Sequence, residues 1–270
     1  MMRSLKANLS LIFSHKSLIA QFTKREISAR YKGSYLGIVW SFVTPLLMLT
    51  IYTFVFSVVF QARWGGNGET NKIEFALILF AGLTVFNIFS EVISRSPSLI
   101  TSNVNYVKKV VFPLEILPIV ALGSALFHAL ISLFILVIGV YIALGTLNWT
   151  IILFPLVILP LLLVILGMTW ILSSLGVYIR DVGQVISVAI PALMFLTPIF
   201  YPISSIPEEL QFLYYFNPLG YVVEDARRVL IWGYLPHWEW FGYGMVIGVI
   251  IMVLGYVWFK KTRKGFADVI

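Results

Sequence analysis

Long uncharged runs separated by short polar stretches make up most of this sequence. Leu36–Phe60 has no charged residue over 25 positions, and Phe75–Ser94 carries only Glu91 near its end. Ile116–Leu144 is uncharged apart from a proton that His128 can take, and Trp149–Tyr178, Val182–Tyr201 and Trp240–Phe259 are uncharged throughout. A helix needs about 20 mostly apolar residues to cross a hydrocarbon core of about 30 Å. The pattern therefore predicts an all-α polytopic membrane protein with six transmembrane helices. The third and fourth runs would measure roughly 45 Å at 1.5 Å per residue, so they tilt or project beyond the bilayer. The first run follows 35 residues rich in Lys and Arg, which is not the pattern of a cleavable signal peptide.

The polar stretches carry their own expectations. In residues 1–35, Leu18, Ile19, Phe22, Ile27 and Tyr31 interleave with Lys24, Arg25, Glu26 and Arg30. This segment is expected to lie as an amphipathic helix in the headgroup layer, with Glu26 and Arg30 paired at i,i+4; a flexible basic tail is the alternative. Residues 95–112 are longer than a helix hairpin needs, so this loop is a candidate docking element. Pro113 suits a first helical position, Glu115 would complement the helix dipole, and Glu91 would pair locally with Arg95. Asp181 and Gln184 have capping-box spacing after the short Tyr178–Asp181 turn. In residues 202–239, Ser205 and Glu208 repeat that spacing ahead of the apolar Leu210–Phe216. Asn217-Pro218 opens a second helix that stops at Gly233, with Glu224 and Arg228 four apart. The two short helices are expected as an external re-entrant pair, or as interfacial helices on the membrane surface. The domains are thus 1–35, an interface segment, and 36–270, the transmembrane unit.

Composition and charge sharpen this picture. The chain is 60% hydrophobic and 11% charged with a mean hydropathy of +0.94, whereas soluble domains carry about 25% charged residues. The net charge of +7 would suggest nucleic acid, but it is a topology signal. Of 19 Lys and Arg, only Arg63, Lys72, Arg227 and Arg228 fall on the side opposite the termini. Both termini are therefore expected in the cytoplasm. With no cysteine, disulfide, thiolate-metal and Cys-nucleophile chemistry drop out. The three histidines are far apart in sequence and no Ser/His/Asp set is recognisable, so no catalytic or metal residues are assigned. No GxxxxGK[ST] loop is present, so the chain does not hydrolyse ATP by that route. Mid-span charges of the kind ion-coupled carriers use are nearly absent. Aromatics are abundant at 16%, and a membrane-interface belt accounts for Trp64, Trp149, Trp238, Trp240 and Trp258. Tyr52, Phe54, Phe56, Phe86, Phe89, Phe195, Phe200 and Tyr201 fit a belt less well; they are candidates to line an internal path, where rings stack on sugars.

Several of these residues also form motifs. Arg30-Tyr31-Lys32-Gly33-Ser34-Tyr35-Leu36-Gly37-Ile38-Val39-Trp40, running on to Pro45, resembles the start of span one in the membrane subunits of polysaccharide ABC exporters. Asn105-Tyr106-Val107-Lys108-Lys109-Val110-Val111-Phe112-Pro113 is similar to their loop between spans two and three. Arg180-Asp181, Thr197-Pro198-Ile199-Phe200-Tyr201, Asn217-Pro218 and the ending Gly265–Val269 fit the same family. The resemblance implies a homodimeric permease of the bacterial inner membrane. It would export a lipid-linked polysaccharide such as O-antigen, capsule or a teichoic-acid-like polymer. Two copies of a separate ATP-binding subunit would hold the ATP and magnesium, and this chain would bind no cofactor. It further implies coupling to that subunit through Ser96, Asn103, Asn105, Tyr106, Lys108 and Lys109, with a smaller contact from Arg180 and Asp181. Phe22, Arg25, Arg30 and Tyr31 would belong to an interface helix, and spans one, two and five would line the path. The alternatives are an ABC permease for a small lipid or drug, and a membrane-embedded enzyme acting on lipid-linked sugars.

Overall fold

The computed structural model describes residues 14–59, 64, 72–108, 112–215 and 217–270. Phe60, Arg63, Lys109, Val110, Val111 and Phe216, all invoked above, lie outside that set. Among the described residues every regular element is helical. Helix α1 spans Lys16–Arg30, α2 Trp40–Tyr52, α3 Lys72–Arg95 and α4 Val104–Val107. They are followed by α5, Leu117–Leu144, α6, Phe154–Tyr178, and α7, Val182–Leu196. Helices α8, Glu208–Tyr215, α9, Pro218–Arg227, α10, Trp238–Thr262, and α11, Phe266–Val269, complete the order. A wider π-wound turn, Thr53–Val59, extends α2, and another, Arg228–Trp232, extends α9.

Five segments are long and apolar enough to cross a membrane: Gly37–Phe56, Lys72–Ser98, Leu114–Leu144, Trp149–Tyr178 and Trp238–Val269. The expected crossing at Val182–Tyr201 is helical only to Leu196. Proline disfavours helical backbone in the residue before it, and Thr197, which precedes Pro198, is extended at φ −95° and ψ 137°. The 15 helical residues cover about 22 Å, short of a hydrocarbon core.

Helix α3 is the central post. It is apolar on most sides and packs against α5, α6 and α9, as a helix so largely hydrophobic must. Within its most apolar window 83% of residues are buried inside the protein, against 6% for the first span. That first span stands at the edge with Ile38, Val39, Leu46, Leu47, Ile51 and Phe54 uncovered. Helix α6 crosses α10 closely, and the turn at Ser96–Ser98 lies on α6 where Gly176 leaves room for the Pro97 carbonyl.

Helix α1 is formed over Lys16–Arg30, so that stretch is not a flexible tail. Its half-buried stripe, Ile19, Phe22, Thr23, Glu26 and Ile27, recurs at three and four residues and faces α5, where Gly123 admits Thr23. Asn217 caps α9 by accepting from the Leu219 amide at 3.1 Å, and Gly233 ends the following turn at φ 73°, both as expected. Two expected capping boxes do not form. The Asp181 side chain makes no cap bond; only its carbonyl accepts from Gln184. Ser205 sits in a separate 3-10 turn, and α8 begins at Glu208 behind Pro207.

Candidate functional site

Three polar stripes meet inside the apolar bundle. On α5, Ser124, His128 and Ser132 recur every four residues and share one face. Thr84, Asn87, Glu91 and Ser94, three or four residues apart, share a face of α3, and Ser41, Thr44, Pro45, Met48 and Tyr52 share one of the first span. These faces enclose a cavity of about 790 Å³ between the first span, α3 and α5, reached by Met194 of α7 and bounded at one end by α1. Hydroxyls, the Asn87 amide and aromatic rings alternate with apolar side chains along its wall, with Tyr31 and Trp40 near the α1 end.

The charges at that end are partnered across elements rather than along them. Arg30 of α1 donates to Glu91 of α3, and Arg95 of α3 lies 2.6 Å from Glu26 of α1. The expected local pairs Glu26–Arg30 and Glu91–Arg95 are therefore replaced, because α1 packs alongside α3 and α5 and offers each charge a partner on another helix. His128 Nδ1 is 2.9 Å from Glu91 Oε1, and its Nε2 is 3.0 Å from the Tyr31 hydroxyl. Nδ1 also lies 3.1 Å from Arg30 Nη1; with its hydrogen on Nδ1 the ring donates to the carboxylate and Nε2 accepts from the phenol. Burial pushes the Tyr31 hydroxyl above its ordinary range against the opposing pull of Arg30, so it stays protonated and able to donate. The stripe of Ser124, His128 and Ser132 at four-residue spacing was the sequence signal for this site.

The anticipated path-lining aromatics divide into two groups. Tyr52, Phe56, Phe195 and Phe200 gather into one cluster, with Phe56 and Phe200 stacked at 4.8 Å and Phe195 5.7 Å from Phe200. Tyr201 donates to the Phe195 carbonyl at 2.6 Å. Phe86 and Phe89 instead lie in the packed core of α3, 2% and 4% exposed, on the side away from the polar stripe. Phe54 points outward from the first span.

The residues assigned to coupling and to the interface helix touch one another. Tyr106 stacks on Phe112 at 4.5 Å and meets Phe22 edge-on at 5.5 Å. Arg25 lies over the Phe22 ring and donates to the Tyr106 hydroxyl at 2.8 Å. Asn105, Lys108, Arg180 and Asp181 are exposed, whereas Ser96 is fully buried and bonds the Val92 carbonyl. Asn103 is half-buried and caps back onto Leu99. Glu115, expected to serve a helix dipole, is buried and paired with Arg263 beyond the last span.

At the opposite end, α9 is sunk among α3 and α6. Arg227, which sequence reasoning treated only as a topology charge, is fully buried there. It donates to the carbonyls of Ile78, Pro198 and Ile199 and lies over the Trp64 ring. It also takes the Glu224 carboxylate, while Arg228 bonds the Leu235 carbonyl, so the expected Glu224–Arg228 pair is absent. Among the described residues no group of three or more His, Asp and Glu side chains comes together as a metal site.

The described residues thus form an apolar helical bundle around a cavity with polar groups in its wall. Residues 17–231 match the family model of the ABC-2 type transporter, and the chain belongs to that family. It is 28% identical over 261 residues to the O-antigen export system permease protein RfbA of Myxococcus xanthus, covering 95% of this chain and 96% of that one. A second RfbA, from Klebsiella pneumoniae, is 27% identical over 268 residues, 98% of each chain. The polysialic acid transport protein KpsM of Escherichia coli is 27% identical over 250 residues, 89% of this chain and 92% of its own. This is the family that the motifs from Arg30 to Val269 resemble.

Proposed function

We propose that this chain is the membrane subunit of an ATP-driven exporter that moves a lipid-linked polysaccharide out of the cytoplasm across the inner membrane. The observation that carries the reading is the cavity whose wall sets hydroxyls, the Asn87 amide and rings among apolar side chains inside an otherwise apolar bundle, a wall suited to a sliding sugar chain. Family membership and the O-antigen and polysialic acid permeases among its relatives support the substrate class. In this reading α7 completes a sixth crossing together with the Thr197–Tyr201 turn, and both termini face the cytoplasm. Helix α1 lies at the cytoplasmic interface, and α8 and α9 form a re-entrant pair at the external mouth.

A second copy of this chain covers the exposed first span and α7, whose Val185, Val188 and Phe195 are uncovered, and the two copies form the channel between them. Two copies of an ATP-binding subunit, carrying ATP and magnesium, dock at 95–112 and at Arg180–Asp181. The enzymatic alternative has little support, since the cavity's carboxylates, Glu26 and Glu91, are each engaged by an arginine. Expressing the chain with its cognate ATP-binding subunit, in a bacterial strain lacking its own polysaccharide permease, should restore surface polysaccharide. Polymer retained in the cytoplasm despite full membrane insertion of both subunits would overturn the proposal.

A further inference from the structure

Four charged side chains on two helices can pair in two ways. Glu26 and Arg30 stand four residues apart on α1, and Glu91 and Arg95 stand four apart on α3. Side chains at that spacing are neighbours on a helix surface, so each helix is able to satisfy its own pair. The observed pairing is the crossed one, Arg30 with Glu91 and Arg95 with Glu26. All four groups line the α1 end of the cavity. Crossed pairs hold α1 over that end; local pairs would leave every charge matched with α1 released.

We propose that this square of charges is an exchange latch. Conversion of the crossed pairs to local pairs frees α1 and opens the cavity to the leading end of the polymer, a step that rests on the transport reading above. Each state contains two Arg–Glu pairs, so the pairing energies nearly cancel and the other contacts of α1 set the bias, as a two-state element requires. The Arg30 and Arg95 side chains are 50% and 41% exposed, so their guanidinium groups stay hydrated through the exchange. Ion pairs of that exposure hold weakly.

The other groups that face the square set its closed bias. His128 reaches Glu91, Tyr31 reaches His128, and Thr23 lies against Gly123. Helix α1 contains no fully buried residue. Besides the half-buried stripe on α5, it is anchored by Phe22 and Arg25 on Tyr106 and Phe112, in the loop assigned to the ATP-binding partner. Displacement of that loop is thereby passed along α1 to the square.

Two double variants separate a latch from a fixed strut. E26R/R95E keeps both crossed pairs and makes both local pairs repulsive; E26R/R30E keeps both local pairs and makes both crossed pairs repulsive. The chain has no cysteine, so Ser124→Cys gives a single thiol at a cavity position that is 1% exposed. Its labelling by a membrane-impermeant maleimide is read in the full complex in vesicles, and export is read in cells. E26R/R30E should label at least about tenfold faster than E26R/R95E, with the native charges between them, and both variants should lose export. General unfolding would speed labelling in both variants, so opposite shifts identify the latch. Native export by E26R/R95E, or equal labelling in the two variants, would overturn it. The labelling order holding while the native chain exports no polysaccharide would uphold the latch and sink the transport reading alone.

Discussion

Gly167 of α6 and Gly255 of α10 face each other with no room for a β-carbon at either position. A methyl group at Gly255 would land on the Gly167 carbonyl, and one at Gly167 would land on the backbone at Ile251. Small residues let membrane helices approach closely enough for van der Waals packing to hold them together. Gly167→Ala and Gly255→Ala should each destabilise by about 1–3 kcal/mol, because neither backbone can yield as a flexible side chain would. Thermal unfolding in detergent checks this. Gly242→Ala serves as the matched control on α10, since a β-carbon there meets nothing within 4 Å.

Arg227 ties α9 to α3 and to the turn after α7 in a way that lysine cannot copy. Its Nε, Nη1 and Nη2 donate to three carbonyls at 2.8–3.1 Å, two of them, Pro198 and Ile199, just past the end of α7 at Leu196. An ammonium lacks the planar fork that spans those acceptors. Arg227→Lys is expected to cost roughly 3 kcal/mol and Arg227→Met more, each exposing buried acceptors. Limited proteolysis between Thr197 and Trp232 should accelerate in both variants. Unchanged cleavage would remove Arg227 from this role.

The helices were legible in the sequence because an apolar run of membrane length leaves the backbone few alternatives. The pairing of charges was not. Glu91 and Arg95 look like a local pair, as do Glu26 and Arg30, and only the placement of α1 against α3 and α5 converts them into cross-links. Phe86 and Phe89 misled for a related reason: ring chemistry is visible in sequence, but which face of α3 turns to the core depends on its neighbours. The polar stripe on α5 was open to reading throughout, since Ser124, His128 and Ser132 keep helical spacing in a run that is otherwise apolar. The break after Leu196 was also written locally, in the proline that follows Thr197.

Glu115 and Arg263 join the start of α5 to the chain beyond α10. Arg263 Nη1 contacts both carboxylate oxygens at 2.6 and 2.7 Å, and Nη2 donates to the Phe112 carbonyl at 3.0 Å. The Glu115 side chain is 7% exposed and that of Arg263 33%, so water screens the pair only on one side. A double-mutant cycle of Glu115→Gln and Arg263→Gln should give a coupling energy of about 1–3 kcal/mol. Near-zero coupling would mean that the C-terminal segment is held by Phe266 in the core and not by this ion pair.

The docking assignment for residues 95–112 predicts a separation between stability and coupling. Lys108 and Arg180 are exposed, and the structure gives neither side chain a bond that the fold depends on. Surface substitutions of that kind stay within about 0.5 kcal/mol, so Lys108→Glu and Arg180→Glu should leave the unfolding temperature almost unchanged. Phe22→Ala is different, because it strips the contacts that hold α1 to Tyr106 and Phe112. It should lower stability by about 3 kcal/mol or less, the ring being only half-buried. If the loop meets the ATP-binding subunit, Lys108→Glu should uncouple polysaccharide export from ATP hydrolysis in the assembled complex while the permease stays folded. Measuring ATPase rate and export together decides the matter: native values of both for Lys108→Glu and Arg180→Glu combined would move the docking surface elsewhere.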